Sequence, residues 1–435
     1  MIITPPPTIL LPGEVDLNQR FLTAAHDRLN VFLSGMAGTG KSTLLRQFIR
    51  ETKDREIDIT APTGIAALNV GGSTIHRWCG MLIGPGSEGH DPNETNEEFY
   101  DWLRTQPARS IRNGWDRVRM CQCLVIDEIS MMAGRQLDYV EWLFRRVRND
   151  DRPWGGCQII VVGDFCQLAP VQTDKTKDYD WAFKTKAWAD SQFTNIILDR
   201  IYRQTEVNLI SALCAVRIGE VAGRAAAILN SRQQDNPPAS IPHLCTHNRD
   251  VDKVNAAALA GLTTPEVRYE GIKTGNESIA ESLVKSVTCP EILCLKIGAW
   301  VMLTVNDRNN RFVNGTVGRV TELRPDKIAV KTLTSEFDVA RFTWKSGNDF
   351  DRYYADFTQF PIRLAYAMTI HKCQGITLDS AYIDVRAARE PGQAYVALSR
   401  VKTLAGLWLK EQISGVVTAK AVGEFYAEIS NAPPF

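Results

Sequence analysis

The stretch GMAGTGKST, residues 35–43, restricts the possible folds of this 435-residue chain more than any other part of it. It follows a short apolar run, NVFLS, and leads into the helical pattern KSTLLRQFIR. Glycines in such a turn let backbone N–H groups point at a phosphate, and a helix start favours negative charge. The sequence therefore predicts a strand, a phosphate-binding loop and a helix that hold a nucleoside triphosphate.

Individual residues of this loop have predictable roles. Lys41 is expected to meet the charge of the β- and γ-phosphates, and the Ser42 hydroxyl is expected to help hold Mg²⁺. The predicted nucleotide contacts of the loop are Gly35, Gly38, Thr39, Gly40, Lys41, Ser42 and Thr43.

A second motif, LVIDEIS, is an apolar strand pattern that ends in Asp127 and Glu128. A carboxylate just beyond a buried strand is well placed for the Mg²⁺ shell, and its neighbour can orient and deprotonate a water. We assign the metal to Asp127 and the water to Glu128. A site that positions water favours an ATPase over a small-molecule kinase.

The architecture follows from alternation of strand and helix patterns. Short β-branched runs alternate with helical patterns through the first two hundred residues, and the same order returns between GITLDSAYIDV and GLWL. This alternation predicts two α/β domains with parallel sheets. Residues 80–105 interrupt the first domain with glycines and acids. Residues 296–358 are rich in short strands and predict a small all-β module in the second domain.

Composition limits the classes of partner and location. The charges of fifty basic and fifty acidic residues cancel, so the net charge supplies no long-range attraction for nucleic acid. A nucleic-acid site must therefore be a local groove. No apolar run is long enough to span a bilayer. Ten scattered cysteines without a CxxC pattern suit a reducing intracellular compartment.

Five further stretches occur in the order of the helicase motifs of superfamily one. They are APTGIAALNVGGSTIHRW, PWGGCQIIVVGDFCQLAPV, LDRIYRQ, AYAMTIHKCQGITLDSAYIDV and GQAYVALSRVKTLAGLWL. Together they resemble the PIF-one family of group B and, more distantly, the Dda and RecD helicases. The resemblance implies RecA-like domains at 1–195 and 196–435, with ATP in the cleft between them and single-stranded DNA across both. It also implies a wedge insertion at 80–105 and an SH3-like module at 296–358.

The resemblance also implies residue roles. Gln19 matches the glutamine that reads adenine, Gln167 the γ-phosphate sensor, and Gly375 a glycine of the nucleotide site. Arg203 and Arg400 match arginines that reach the nucleotide from the second domain. The implied DNA contacts are Pro62, Thr63, His76, Thr369, His371 and Lys372. For His371, a structural role bonded to a loop carbonyl is an equal alternative.

Two positions depart from the family pattern. Cys373 stands where a serine is usual, which puts one hydrogen bond in doubt, and Trp154 stands where phenylalanine is common.

Together with the motifs, the resemblance thus implies a monomeric, ATP- and Mg²⁺-dependent DNA helicase that translocates 5′ to 3′ on single strands and unwinds duplexes at junctions. Opening of G-quadruplexes is a family expectation. The expected origin of this compact protein is a bacterium or a virus, and its expected location is the cytoplasm. Two alternatives remain open: a superfamily one helicase directed at RNA, and a nucleotide-gated clamp or translocase on single-stranded DNA without strong unwinding.

Overall fold

The computed structural model describes residues 16–80, 108–172, 178–234, 236–238, 240–287, 289–307, 311–312, 314–332, 335–346 and 355–431. The predicted wedge insertion at 80–105 lies outside these residues apart from Gly80. No helix among the described residues is long and apolar enough to cross a membrane.

The helices, numbered in chain order, are α1 (Leu17–His26), α2 (Lys41–Glu51), α3 (Gly64–Val70), α4 (Ile75–Cys79), α5 (Ala108–Met120), α6 (Gly134–Arg148), α7 (Lys186–Ser191), α8 (Val207–Ile218), α9 (Gly223–Asn230), α10 (Asn248–Ala260), α11 (Glu277–Ser286), α12 (Gln393–Leu398) and α13 (Lys420–Asn431).

The strands are β1 (Val31–Gly35), β2 (Ile57–Ala61), β3 (Ser73–Thr74), β4 (Cys123–Ile126), β5 (Gln158–Val162), β6 (Thr194–Leu198), β7 (His243–Cys245), β8 (Glu266–Glu270), β9 (Ile272–Gly275), β10 (Ile292–Lys296), β11 (Trp300–Leu303), β12 (Val317–Leu323), β13 (Lys327–Lys331), β14 (Glu336–Ala340), β15 (Phe342–Ser346), β16 (Ala355–Gln359), β17 (Ile362–Leu364), β18 (Ala367–Thr369), β19 (Ala381–Ile383) and β20 (Leu407–Leu409).

The chain forms two compact units. Among the described residues, the N-terminal unit comprises those up to Arg203, residues 390–392 and residues 418–431. The C-terminal unit comprises residues 204–389 and 393–417.

The N-terminal unit is built on a six-stranded parallel sheet in the order β3-β2-β4-β5-β1-β6. Its central strands β1, β4 and β5 are fully buried, as expected for a parallel sheet covered on both faces. One core contains Phe21 and Phe48 from α1 and α2, and the other contains Phe144 from α6 and Phe425 from α13. The phosphate-binding loop thus begins at the end of a fully buried inner strand of the sheet.

The C-terminal unit combines a small parallel sheet with antiparallel sheets. The parallel sheet has the order β18-β7-β19-β20. Strands β11 to β16 lie in the region 296–358 that was predicted as an all-β module, apart from the last residue of β16. Strand β17, which follows this region, completes the five-stranded antiparallel sheet β14-β13-β12-β11-β17. Within it, Trp344 is buried and stacks on Phe357, with ring centroids 5.7 Å apart.

The division of the chain differs from the predicted boundary between residues 195 and 196. Strand β6 pairs with β1 through Leu198, so the chain as far as Arg203 belongs to the N-terminal unit. The segment from 418 onward, predicted in the second domain, also belongs to the N-terminal unit, because the apolar face of α13 packs into an aromatic cluster there.

Candidate nucleotide site and nucleic-acid interface

The phosphate-binding loop connects β1 to α2, as the sequence predicts. The Lys41 ammonium donates to the carbonyl oxygens of Gly35 at 2.6 Å and Met36 at 3.0 Å. The buried Thr39 hydroxyl also donates to Met36, at 2.9 Å. Gly40 has a φ of 87°, which favours glycine and turns the chain into the first turn of α2. Ser42 and Thr43 follow in this first turn, and the Thr43 N–H donates to the Gly40 carbonyl oxygen at 2.9 Å.

Asp127 and Glu128 follow the fully buried strand β4. Asp127 is 5% exposed, and its Oδ1 accepts a hydrogen bond from the Glu128 backbone N–H at 2.9 Å. Burial and the neighbouring Glu128 charge raise the pKa of Asp127 from 3.8 to about 7, while that N–H and the Lys41 charge act in the opposite direction. A buried carboxylate that is costly to ionise is well suited to a divalent cation, which would stabilise its charged form.

The negative charges of three carboxylates act on the Lys41 ammonium. Burial lowers the pKa of Lys41, and the negative charges of Asp164, Glu128 and Asp127 oppose this shift. The Arg203 charge lowers the pKa of Lys41 further. Lys41 therefore shares one electrostatic environment with three acids and an arginine, the combination that phosphoryl transfer uses.

Gln167 lies on the turn that follows β5. Its backbone N–H donates to the Asp164 carbonyl oxygen at 2.8 Å, and the residue is 5% exposed. Gly392, which has a φ of 77°, lies directly against the Gln167 carbonyl group. The position of Gln167 is thus set by close backbone packing.

The DNA candidates of the N-terminal unit lie after β2 and in α4. Pro62 and Thr63 follow β2, and the Thr63 hydroxyl accepts the Ala66 N–H at 3.3 Å. The Nε2 atom of His76 lies 3.1 Å from the Gln136 side-chain nitrogen. Burial lowers the pKa of His76 below 6.5, so this ring is neutral at pH 7.

The DNA candidates of the C-terminal unit lie at the end of β18. The Lys372 backbone N–H donates to the Thr369 hydroxyl at 3.3 Å, and a short helical turn starts at His371. Burial and the nearby Arg363 charge lower the pKa of Lys372. Gly375 has a φ of 76°, a conformation that favours glycine. Thr369, His371 and Lys372 therefore form one local cluster.

The chain is similar to a family of known helicases. The sequence pattern of the family described as PIF1-like helicase matches residues 22–215. An ATP-dependent DNA helicase Pif1 of Bdellovibrio bacteriovorus is 39% identical, over 87% of this chain and 84% of the relative. The chain belongs to the PIF1-like helicase family.

Solved structures of PIF1 helicases share this fold. The Bacteroides sp Pif1 in complex with ADP-AlF4 is 31% identical, with a TM-score of 0.79 over 96% of this PIF1-like helicase and 97% of that chain. A Bacteroides Pif1 in complex with ADP-AlF3 and ssDNA is 31% identical, with a TM-score of 0.67 over 97% of this chain and 98% of that chain. A structure of two coordinating Pif1 helicases at forked dsDNA is 32% identical, with a TM-score of 0.66 over 96% of this chain and 97% of that one. These matches confirm the predicted α/β class with parallel sheets.

Three further residues of this PIF1-like helicase that were predicted to contact the nucleotide are Gln19, Arg400 and Arg203. Gln19 is exposed in the first turn of α1. Arg400 is buried in the C-terminal unit, where its Nε donates to the Val396 carbonyl oxygen at 2.8 Å. Arg203, expected on the second domain, is the last residue of the N-terminal unit before the chain leaves it, because its segment continues from β6.

Sequence reasoning missed Asp164 and Tyr202. Asp164 is fully buried, and its charge is the first of the three that oppose the lowered pKa of Lys41. The backbone N–H of Tyr202 donates to the Gly38 carbonyl oxygen at 2.8 Å, which ties the segment after β6 to the loop. The rule that selected Asp127, a carboxylate just beyond a buried strand, also fits Asp164 after β5. Tyr202 carries no comparable signal.

Both departures from the family pattern are accommodated locally. The Cys373 thiol donates to the Ile370 carbonyl oxygen at 3.0 Å, so a hydrogen-bond donor is kept at this position. Trp154 is fully buried, and its indole N–H donates to the Ser191 hydroxyl at 2.7 Å. Trp154 therefore keeps the apolar bulk and adds a hydrogen bond.

Proposed function

We propose that this protein is an ATP-dependent DNA helicase that translocates 5′ to 3′ on single-stranded DNA and unwinds the duplex ahead of it. The observation that carries the proposal is the environment of Lys41. This ammonium lies on a strand–loop–helix and is influenced by the charges of Asp127, Glu128 and Asp164. Family membership and the Pif1 relatives support DNA as the polymer.

The proposed hydrolysis divides the work among these residues. Backbone N–H groups at Gly38–Ser42 and the Lys41 ammonium bind the phosphates, and Glu128 orients and deprotonates the attacking water. A Mg²⁺ ion held by the Ser42 hydroxyl and Asp127 would neutralise charge on the phosphates. Gln167 senses the γ-phosphate, and the arginines Arg203 and Arg400 stabilise charge in the transition state.

Nucleotide recognition extends beyond the loop in this proposal. Gln19 reads adenine and so favours ATP, and Gly375 completes the nucleotide contacts.

The proposed DNA path uses two groups of residues. Pro62, Thr63 and His76 contribute from the N-terminal unit, and the cluster of Thr369, His371 and Lys372 contributes from the other. Hydroxyls and an ammonium suit backbone phosphates, and the neutral imidazole of His76 suits contact with a base or a hydroxyl. Each element is short and local, in keeping with the zero net charge.

Polarity and unwinding are tested together. ATP-driven strand separation is measured on matched duplexes that carry only a 5′ or only a 3′ single-stranded tail, with Glu128→Gln as control. Unwinding of the 5′-tailed duplex alone supports the proposal, and unwinding from the 3′ tail alone reverses the polarity. ATP hydrolysis without unwinding of either duplex favours a clamp or translocase.

Two additional arms test the substrate. ATPase stimulation by DNA and RNA oligomers of one sequence separates a DNA helicase from one directed at RNA, because only RNA carries the 2′-hydroxyl. A G-quadruplex in place of the duplex tests the family expectation that the enzyme opens it.

We also propose that the free protein is a monomer in a reducing, cytoplasmic compartment. Ten scattered cysteines without a CxxC pattern support the compartment. Light scattering of the protein alone and with forked DNA tests the monomer, and two copies on the fork would parallel the coordinating Pif1 helicases.

A further inference from the structure

The C-terminal helix α13 contributes a hydroxyl group to the neighbourhood of the nucleotide site. Its residues Val422, Phe425, Tyr426 and Ile429 lie at helical spacing on one face and pack into the core of the N-terminal unit. Phe425 stacks on Phe183, with ring centroids 4.4 Å apart and an angle of 17° between the rings. This packing fixes the direction of the adjacent Tyr426.

The Tyr426 hydroxyl joins two strand ends that flank the phosphate-binding loop. It lies 2.7 Å from the Ser34 hydroxyl, accepts the Phe165 N–H at 3.1 Å and donates to Asp164 Oδ1 at 3.2 Å. A phenol has one hydrogen to donate and oxygen lone pairs to accept, so all three contacts are compatible if Ser34 donates. Ser34 and Asp164 are fully buried, so neither group is in contact with bulk water.

Each partner of Tyr426 leads directly to a nucleotide residue. Ser34 precedes Gly35, whose carbonyl oxygen accepts from the Lys41 ammonium. Asp164 is the first of the carboxylates whose charge acts on Lys41. Phe165 lies two residues before the γ-phosphate sensor Gln167, and the Gln167 N–H donates to the Asp164 carbonyl oxygen.

We propose that Tyr426 is a positioning residue for ATP hydrolysis. Its hydroxyl holds the Asp164 carboxylate toward Lys41 and sets the separation between the end of β1 and the turn that carries Gln167. This inference rests on the proposed nucleotide site. It assigns to helix α13 a role in ATP hydrolysis that the sequence motifs of the nucleotide site do not indicate.

The test is Tyr426→Phe in the full-length protein, because the ring and its packing remain and only the hydroxyl is lost. ATPase activity is measured over a range of ATP concentrations with saturating single-stranded DNA, and thermal unfolding is measured in parallel. We expect kcat to fall about threefold to tenfold, the size of effect that one misplaced hydrogen bond produces. We expect KM for ATP to change less, because most phosphate contacts come from the loop backbone.

Tyr269→Phe is the matched control. The Tyr269 hydroxyl donates to the Arg324 carbonyl oxygen at 3.0 Å in the C-terminal unit, so the control also loses a partly buried phenol hydrogen bond. We expect a similar decrease in unfolding temperature in both variants and a lowered kcat only in Tyr426→Phe. A kcat equal to that of the wild type in Tyr426→Phe would overturn the inference and leave Tyr426 a structural residue.

A double-mutant cycle adds a second criterion. Ser34→Ala removes one partner of the hydroxyl, and its effect on kcat should be less than multiplicative with that of Tyr426→Phe. Fully multiplicative effects would contradict the proposed connection. A wild-type protein without ATPase activity would refute the proposed function itself, whereas an active wild type with an unaffected Tyr426→Phe refutes only this inference.

Discussion

Asp127 accepts a hydrogen bond from the backbone N–H of Glu128, the residue next to it in the chain. Glu128 adopts a φ of 52° and a ψ of 44°, a left-handed conformation that is uncommon for residues other than glycine. The turn leaves Asp127 buried and Glu128 only half-buried. Two adjacent carboxylates thus occupy different environments, which supports different tasks for them.

The Asp127 carboxylate is predicted to reduce the stability of the nucleotide-free protein at neutral pH and above. Its folded-state pKa of about 7 exceeds the ordinary value of 3.8, so the folded protein binds an extra proton between these values. Stability therefore decreases as the pH rises through this window. We expect Asp127→Asn to raise the free energy of unfolding at pH 8 by on the order of 1–2 kcal/mol, and by less at pH 5.

Denaturant unfolding in EDTA at both pH values measures this effect, and Mg²⁺-dependent ATPase activity should be lost in the same variant. Equal stabilisation at pH 5 and pH 8 would contradict a raised pKa at Asp127.

Glu128→Gln should separate nucleotide binding from hydrolysis. Glutamine has nearly the same shape as glutamate, but it cannot accept a proton from water. We expect kcat for ATP to fall by about a hundredfold or more, while nucleotide affinity stays near that of the wild type. Single-turnover hydrolysis and binding of a fluorescent nucleotide check the two effects. Glu270→Gln, an exposed change in the C-terminal unit, is the control. Wild-type turnover in Glu128→Gln would remove its assignment as the base.

Local sequence patterns were sufficient to predict the strand, loop and helix around residues 35–43 and the place of Asp127 after a buried strand. Each depends on residues close together in the chain, such as a buried strand that ends in a carboxylate or a loop rich in glycine. The placement of α13 could not be read in this way, because Phe425 meets Phe32 and Phe165, which lie more than two hundred residues earlier. An apolar stripe indicates that one face of a helix is buried, but it does not identify the residues that pack against this face. The position of Arg203 depends similarly on the pairing of β6 with β1.

Phe425 is predicted to be a main source of stability for the N-terminal unit. Its ring lies within 6.0 Å of the rings of Phe32, Phe165, Phe183 and Trp188. We expect Phe425→Ala to destabilise this unit by about 3–4 kcal/mol, since it removes a large buried ring and leaves a cavity. Differential scanning calorimetry should show one transition lowered and a second, from the C-terminal unit, unchanged.

Ile429→Ala on the same helix is the control for Phe425→Ala. Ile429 is only partly buried, so we expect a loss of about 1 kcal/mol. Equal losses in both variants would show that the aromatic cluster adds nothing beyond the docking of the helix.

Gly392 is predicted to admit no side chain. A Cβ atom there would overlap the Gln167 carbonyl group, and the φ of 77° is strained for any other residue. We expect Gly392→Ala to cost more than about 2 kcal/mol of stability and to lower the ATPase rate, because Gln167 has to move. Gly423→Ala provides a control with the opposite sign: Gly423 lies within α13, and beyond the backbone of that helix no atom of the described residues stands within 4 Å of the added carbon. Alanine there should raise stability by about 0.5–1 kcal/mol and leave the ATPase rate unchanged. If Gly392→Ala folds with wild-type stability and turnover, close packing against Gly392 does not set the position of Gln167.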